Sequence, residues 1–268
     1  MVDFQCKDYY SMDDLLRIME LLRTPEGCPW DRAQTHQSIR RNMLEEAYEV
    51  AEAIDQQDPV HLQEELGDVL LQVVFHARMA QEAGQFDFGD VVDDICKKLV
   101  FRHPHVFGGV DARDSDAALT AWEAQKREEK GQKTAADTLD AVARSLPALI
   151  RSETIQDKAR KAGFDWTEMG PALDKLSEEA AELKTAAREG SNTEEELGDL
   201  LFAAVKAGRF LGLDSEQALH GACEKFIRRF RRVEELSDKP LSQQDVTALE
   251  ALWRQAKAEE TGAETAVT

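Results

Sequence analysis

The chain has 268 residues, enough for one large or two ordinary domains, each with a core of its own. Hydrophobic residues make up 42% and charged residues 32%, the balance of a soluble globular protein, and a formal net charge of −20 argues against holding nucleic acid or an anionic membrane by bulk attraction. Cys6, Cys28, Cys96 and Cys223 are far apart with no CxxC pair, there is no signal-like start and no run of 18 apolar residues, so the expectation is a cytoplasmic protein with free thiols.

In chain order, Ser11 with Asp14 three residues on has the form of a capping box, and Leu15, Leu16, Met19 and Leu22 follow at helical spacing, so a first helix should end near Arg23. The loop from Thr24 to Thr35 is punctuated by Pro25, Gly27 and Pro29, and Trp30 within it is expected to be a buried packing residue. Two acidic helices follow, about Ser38 to Asp55 and Val60 to Glu82, joined by the short turn Gln56, Gln57, Asp58, Pro59. Helical stretches are expected again over Val91 to Phe101 and Ala117 to Lys130. His103 and His105 flank a proline and read as capping or packing residues. A polar connection then opens at Arg127, although Leu139 to Ile150 is apolar enough to pack.

The two acidic helices carry the chemistry. On the first, the apolar stripe Met43, Ala47, Val50, Ala51 and Ile54 centres on Ala47, and at roughly 100° per residue Glu46 and Glu49 fall about 100° and 160° to one side. On the second, the stripe Leu62, Leu66, Val69, Leu70, Val73 and Ala77 centres on Leu66, and Glu65 and Asp68 fall at about the same angles to the same side. An antiparallel hairpin brings these four carboxylates together, and such a cluster suits a hard divalent cation, Mg²⁺ above all. The competing reading is a pair of solvated acidic faces, but the second helix is apolar nearly all round and has little solvated face to spare.

The pattern then recurs. Leu173, Leu176, Ala180, Leu183 and Ala187 form a stripe with Glu179 and Glu182 at the earlier offsets, and Glu195 to Asp199 repeats Glu64 to Asp68 letter for letter. Arg209 falls where Arg78 does, Lys225 and Arg229 match Lys98 and Arg102, and Trp253 and Lys257 match Trp122 and Lys126. This is a tandem duplication, and with no stretch of period-two alternation the fold class is all-α. The expected division is a helical domain over 1–128, a linker over 129–152 and a second helical domain over 153–268, with a disordered tail over 259–268.

The doubled Glu-Glu-x-x-Glu and Glu-x-x-Asp, with Cys28 to Asp31 (Cys-Pro-Trp-Asp), His103 to Phe107 (His-Pro-His-Val-Phe) and Gly163 to Trp166 (Gly-Phe-Asp-Trp), resembles the MazG family of the all-α nucleoside triphosphate pyrophosphatases over nearly the whole chain. The resemblance implies Mg²⁺-dependent hydrolysis, with Mn²⁺ as a substitute, of a nucleoside triphosphate to monophosphate and diphosphate, and a homodimer. It places metal on Glu179, Glu182, Glu196 and Asp199, with Lys175, Glu178, Lys225, Arg229, Trp253 and Lys257 completing the nucleotide site, and makes the second copy the catalytic one. Glu46, Glu49, Glu65 and Asp68 form a second candidate metal site, in which Asn42 stands where the other copy has Lys175.

In such a site Glu178, or equally a metal-bound carboxylate, would take a proton from water, Lys225 and Arg229 would clamp phosphates, and Trp253 would stack on the base with tolerance of its identity. Set beside this house-cleaning hydrolase are a narrower dUTPase-like or phosphoribosyl-ATP pyrophosphatase-like enzyme and a non-enzymatic acidic helical protein with a regulatory partner. A di-iron carboxylate bundle is disfavoured because no Glu-x-x-His occurs.

Overall fold

The computed structural model describes residues 4–109 and 114–265. Its helices, in order, are α1 Met12–Leu22, α2 Pro29–Ala33, α3 Arg40–Asp55, α4 Pro59–Glu82, α5 Phe88–Arg102, α6 Pro104–Phe107, α7 Ser115–Glu129, α8 Ala135–Asp140, α9 Ala148–Lys161, α10 Met169–Glu189, α11 Thr193–Phe210, α12 Ser215–Leu236 and α13 Val246–Thr265. No strand occurs among the described residues, so the chain is all-α. It divides into two compact units, Met1–Lys126 and Arg127–Thr268. The stretch 129–152, expected as a linker, holds α8 and the start of α9, both within the second unit. The expected disordered tail is helical through Thr265, and residues 266–268 lie outside the described residues.

Each unit is built on one long helical hairpin. In the first, the Asp58 side chain accepts from the backbone N–H groups of Val60 and His61 and starts α4 at Pro59, while Gln57 turns the chain at φ 55°. In the second, Gly190 closes α10 in the left-handed conformation, at φ 70°, and hands over to α11. One further helix covers each hairpin: α1 lies on α4, and α9 on α11. Ser11 and Asp14 cap α1 reciprocally, as the sequence predicts. Met19 of α1 meets Ile39, Val74, Phe75 and Met79 in the first unit's core. In the second unit Gln156 of α9, 2% exposed, donates to the carbonyl of Phe202 at 2.9 Å and to Ser152 Oγ at 3.1 Å.

The hairpins are phased differently from the stripes read in the sequence. Leu66, which the stripe makes central, is exposed, as are Ala47 and Ile54, whereas Ala53, Glu65, Gln72, Val74 and Ala77 are buried. In the second copy Leu173, Ala180 and Ala187 are exposed, while Ala172, Glu179 and Ala186 are buried. The reason is steric. Two helices approach closely where small residues meet, so the rows of Ala53 and of Ala172 and Ala186 turn to the hairpin seam, while Ala47, Ala180 and Ala187 face outward with Leu66 and Leu173. Glutamates at that seam are therefore drawn inward. Trp30, expected to be buried, is 59% exposed, because α2 begins at Pro29 and leaves it on the outer side of a five-residue helix.

Candidate active site

The inward turn of the seam brings Glu179 of α10 and Glu196 and Asp199 of α11 together, with one oxygen of each within 4.8 Å of the others. Glu196 and Asp199 are one helical turn apart and so project to the same side of α11. Glu179 is 5% exposed and carries two partners: Lys175 Nζ at 2.7 Å, from one turn earlier on the same helix, and Glu182. Lys175 is the main influence holding the Glu179 carboxyl below its ordinary range, against the opposing pull of burial. Glu182 moves the other way, because its hydrogen bond to Glu179 and its own burial favour the protonated form. Lys175 in turn is pushed above its ordinary range by Glu179 and then Glu178.

Of the four expected metal ligands, Glu179, Glu196 and Asp199 share the focus, and Glu182 adjoins it through Glu179. Glu178 is exposed, as are Glu182 and Asp199, and Lys175 holds its carboxylate at 2.9 Å.

The cluster opens into a cavity of about 450 Å³. Lys175, Glu179 and Asp199 line one part of it, and Phe164, Trp166, Phe202 and Lys206 another, with Ala172 and Ala203 as small residues in its wall. Gly163, at φ 88°, gives the loop the turn that a side-chain-bearing residue rarely adopts. Asp165 anchors this loop to α11: its buried carboxylate accepts from Lys206 at 2.7 Å and from Arg209. Burial pushes that carboxyl up, but Lys206 and Arg209 outweigh it and hold it below the usual range. The Lys206 ammonium also lies 5.3 Å from the centre of the Trp166 ring.

Lys225, Arg229, Trp253 and Lys257 do not line this cavity. Arg229 pairs with Glu260 at 2.5 Å, and Trp253 packs on Phe226 with ring centres 5.1 Å apart, which ties α12 to α13. The expected nucleotide residues thus fall into two groups within one chain. Of the aromatic wall, Phe164 and Trp166 belong to the Gly163 to Trp166 motif that the sequence singles out, whereas Phe202 and Lys206 are not singled out there. A signal was available, because counting from the shared Glu-Leu-Gly-Asp puts Ala203 and Lys206 where the first copy has Gln72 and Phe75.

The first unit holds a comparable focus in Glu46, Glu49 and Glu65, again within 4.8 Å, with Asp68 near enough to act on Glu46. Asn42 stands where the second copy has Lys175. Glu65, 7% exposed, meets His61 Nε2 at 3.0 Å, and both Glu46 and Glu65 are raised, first by burial and then by neighbouring carboxylates.

Both clusters offer oxygen donors in excess of the positive charge beside them, the donor set of a hard divalent cation. In the second, the single ammonium of Lys175 faces several carboxylates, and this shortfall fits a bound cation. No helix among the described residues is long and apolar enough to cross a membrane.

The profile of the MazG nucleotide pyrophosphohydrolase domain matches residues 34–107 and 171–233, one match on each hairpin. The chain is 48% identical over 258 residues to the nucleoside triphosphate pyrophosphohydrolase of Escherichia coli (strain K12), covering 93% of this chain and 98% of that protein. It is 44% identical over 249 residues to a Thermotoga maritima protein named nucleoside triphosphate pyrophosphohydrolase/pyrophosphatase MazG, covering 91% and 95%. A nucleoside triphosphate pyrophosphohydrolase of Mycolicibacterium smegmatis is 38% identical over 203 residues, covering 73% and 60%.

Proposed function

From the premise that the chain belongs to the MazG nucleotide pyrophosphohydrolase family, we propose that it is a hydrolase of phosphoric anhydride bonds that converts nucleoside triphosphates to monophosphates and diphosphate, using the cavity of the second unit. The observation that carries this reading is the continuity of that cavity, from a carboxylate focus at Glu179 and Asp199 to an aromatic wall at Phe164, Trp166 and Phe202. A nucleotide has the same two ends, anionic and π-faced.

Glu179, Glu196 and Asp199, with Glu182 beside them, would hold Mg²⁺, or Mn²⁺ in its place. When bound, the metal supplies charge neutralisation on the phosphates and acidifies a coordinated water. The residues of the chain do the rest. Lys175 keeps the buried Glu179 ionised and ready to coordinate. Glu178 and Glu182, both exposed beside Glu179 on α10, are the side chains placed to take a proton from water. Phe164 and Trp166 stack on the nucleoside and exclude water, and stacking tolerates any base, so specificity is broad. Broad turnover is the house-cleaning reading, distinct from a single-base enzyme.

A homodimer fits the outward aliphatic rows: Leu44, Tyr48 and Leu66 in the first unit and Leu197 and Leu201 in the second are all more than 40% exposed on one chain. In a dimer, a second copy could present Lys225, Arg229 and Trp253 to phosphate and base. Sedimentation equilibrium should give twice the chain mass; a single-chain mass would remove this part of the reading. A cytoplasmic location is proposed with it.

The decisive assay incubates the protein with a panel of ribo- and deoxyribonucleoside triphosphates and follows monophosphate and diphosphate. Release of both across the panel, abolished by EDTA and restored by Mg²⁺, is expected. Release of orthophosphate instead would refute the cleavage position, and turnover of one base only would favour the narrower enzyme.

A further inference from the structure

Lys206 is the cation on the aromatic side of the cavity among the described residues, and the duplication supplies a control for it. The matching residue of the first unit is Phe75, which is 4% exposed in the core with the Arg23 guanidinium 5.4 Å above its ring. The shared fold therefore has no need of a cation at this point of the hairpin. Two other differences go with it. Ala203 lines the cavity where the first unit has the buried Gln72, and Ala172 does so where the first unit has the buried Ile39. Together these replacements fill one copy with side chains and leave in the other a space with an ammonium in its wall.

Asp165 and Trp166 hold that ammonium in place, at 2.7 Å and 5.3 Å. It follows Asp199 by two helical turns, about 10 Å along the axis of α11. With phosphates at the carboxylate focus, that displacement puts Lys206 beside the base, not beside the anhydride. An ammonium has three hydrogens and accepts none. Asp165 takes one of them, and the others are available to whatever fills the cavity.

We propose that Lys206 reads the edge of the base and favours triphosphates of oxo bases, which present a carbonyl oxygen where adenine and cytosine present an amino group. An amino group offers hydrogens to a group that can only donate, so at that atom adenine and cytosine gain nothing from Lys206 and are left with their ring nitrogens as weaker acceptors. Stacking on Phe164 and Trp166 still admits every base, so the result is a bias within a broad range. The inference rests on the proposed function, since it needs the cavity to be the nucleotide site.

The test compares kcat/KM for two matched pairs, ITP against ATP and UTP against CTP, in the full chain and in the variants Lys206→Met and Lys206→Arg. A charge-assisted hydrogen bond in a partly closed site is expected to favour ITP and UTP by about tenfold in the wild type. Lys206→Met should bring both ratios close to one, and Lys206→Arg should keep them. Wild-type ratios of one with normal turnover would overturn the proposal without any variant. So would a preference that survives Lys206→Met, or a Lys206→Met variant that loses all four substrates equally, which would put the ammonium on phosphate. Absence of turnover on all four with Mg²⁺ present would instead sink the proposed function, and this inference with it.

Discussion

The two copies of the hairpin carry the same acids and differ in what surrounds them. Around Glu179, Ala172, Ala203 and Lys206 leave a cavity with a charged wall. Around Glu46, the matching Ile39, Gln72 and Phe75 are all buried, and the core of Met19, Val74 and Met79 closes over them. The lesson is that carboxylates at a helical seam make a cation site at most. Under the proposed function, room for the rest of a nucleotide is a separate property, set by three side chains that the acidic motif does not include. The charge balance differs as well: Lys175 holds Glu179 ionised, whereas Asn42 at the matching place gives Glu46 no such help and its carboxyl is raised.

Exchange of the wall residues breaks this comparison most sharply. Ala203→Gln, which gives the second copy the first copy's side chain, should lower kcat/KM by about a hundredfold through displacement of the bound substrate. Gln72→Ala should leave turnover unchanged and alter only the melting temperature, since the Gln72 Oε1 is buried with no hydrogen-bond partner among the described residues. Undiminished activity in Ala203→Gln would show that substrate sits elsewhere.

A smaller effect sharpens the same contrast between aromatic side chains that build the fold and those that face a ligand. Phe75→Ala should cost about 3–5 kcal/mol of stability, as for a fully packed ring. Phe164 is 81% exposed, so Phe164→Ala should change stability by no more than about 0.5 kcal/mol while raising KM. Denaturant melts and steady-state kinetics on both variants check this, and equal stability losses would contradict it.

Much of this architecture can be read from the residues. Ser11 and Asp14 mark the start of α1, Asp58 and Pro59 the hairpin turn, and the repeated Glu-Leu-Gly-Asp the duplication. The meeting of carboxylates across the hairpin is also legible, because side-chain angles on paired helices follow from spacing alone. The rotational phase of the hairpins is not legible. An apolar stripe shows that a face is covered, but not by what, and here the rows of Ala53 and of Ala172 and Ala186 took the seam while Leu66, Leu197 and Leu201 turned outward. The cavity was hidden for a related reason. Phe164 and Trp166 stand in the Gly163 to Trp166 motif, but Lys206 joins them through a buried ion pair at Asp165, a contact between a loop and a helix more than 40 residues on, and no local pattern encodes that meeting. Trp253, which matches Trp122 of the first copy and which the resemblance assigns to the nucleotide, packs within one chain between α12 and α13.

The central claim is that the second copy joins its carboxylate focus to a cavity with room for a nucleotide, whereas the cavity of about 410 Å³ in the first unit is lined by none of Glu46, Glu49 and Glu65. It is tested most directly by metal-dependent diphosphate release in Asp199→Asn and Asp68→Asn, the same change at matching positions. The account predicts that Asp199→Asn loses at least about a hundredfold in turnover, as expected when a metal-site carboxylate is neutralised, while Asp68→Asn stays within about twofold of the wild type. Full activity in Asp199→Asn, or equal losses in the two variants, would contradict it.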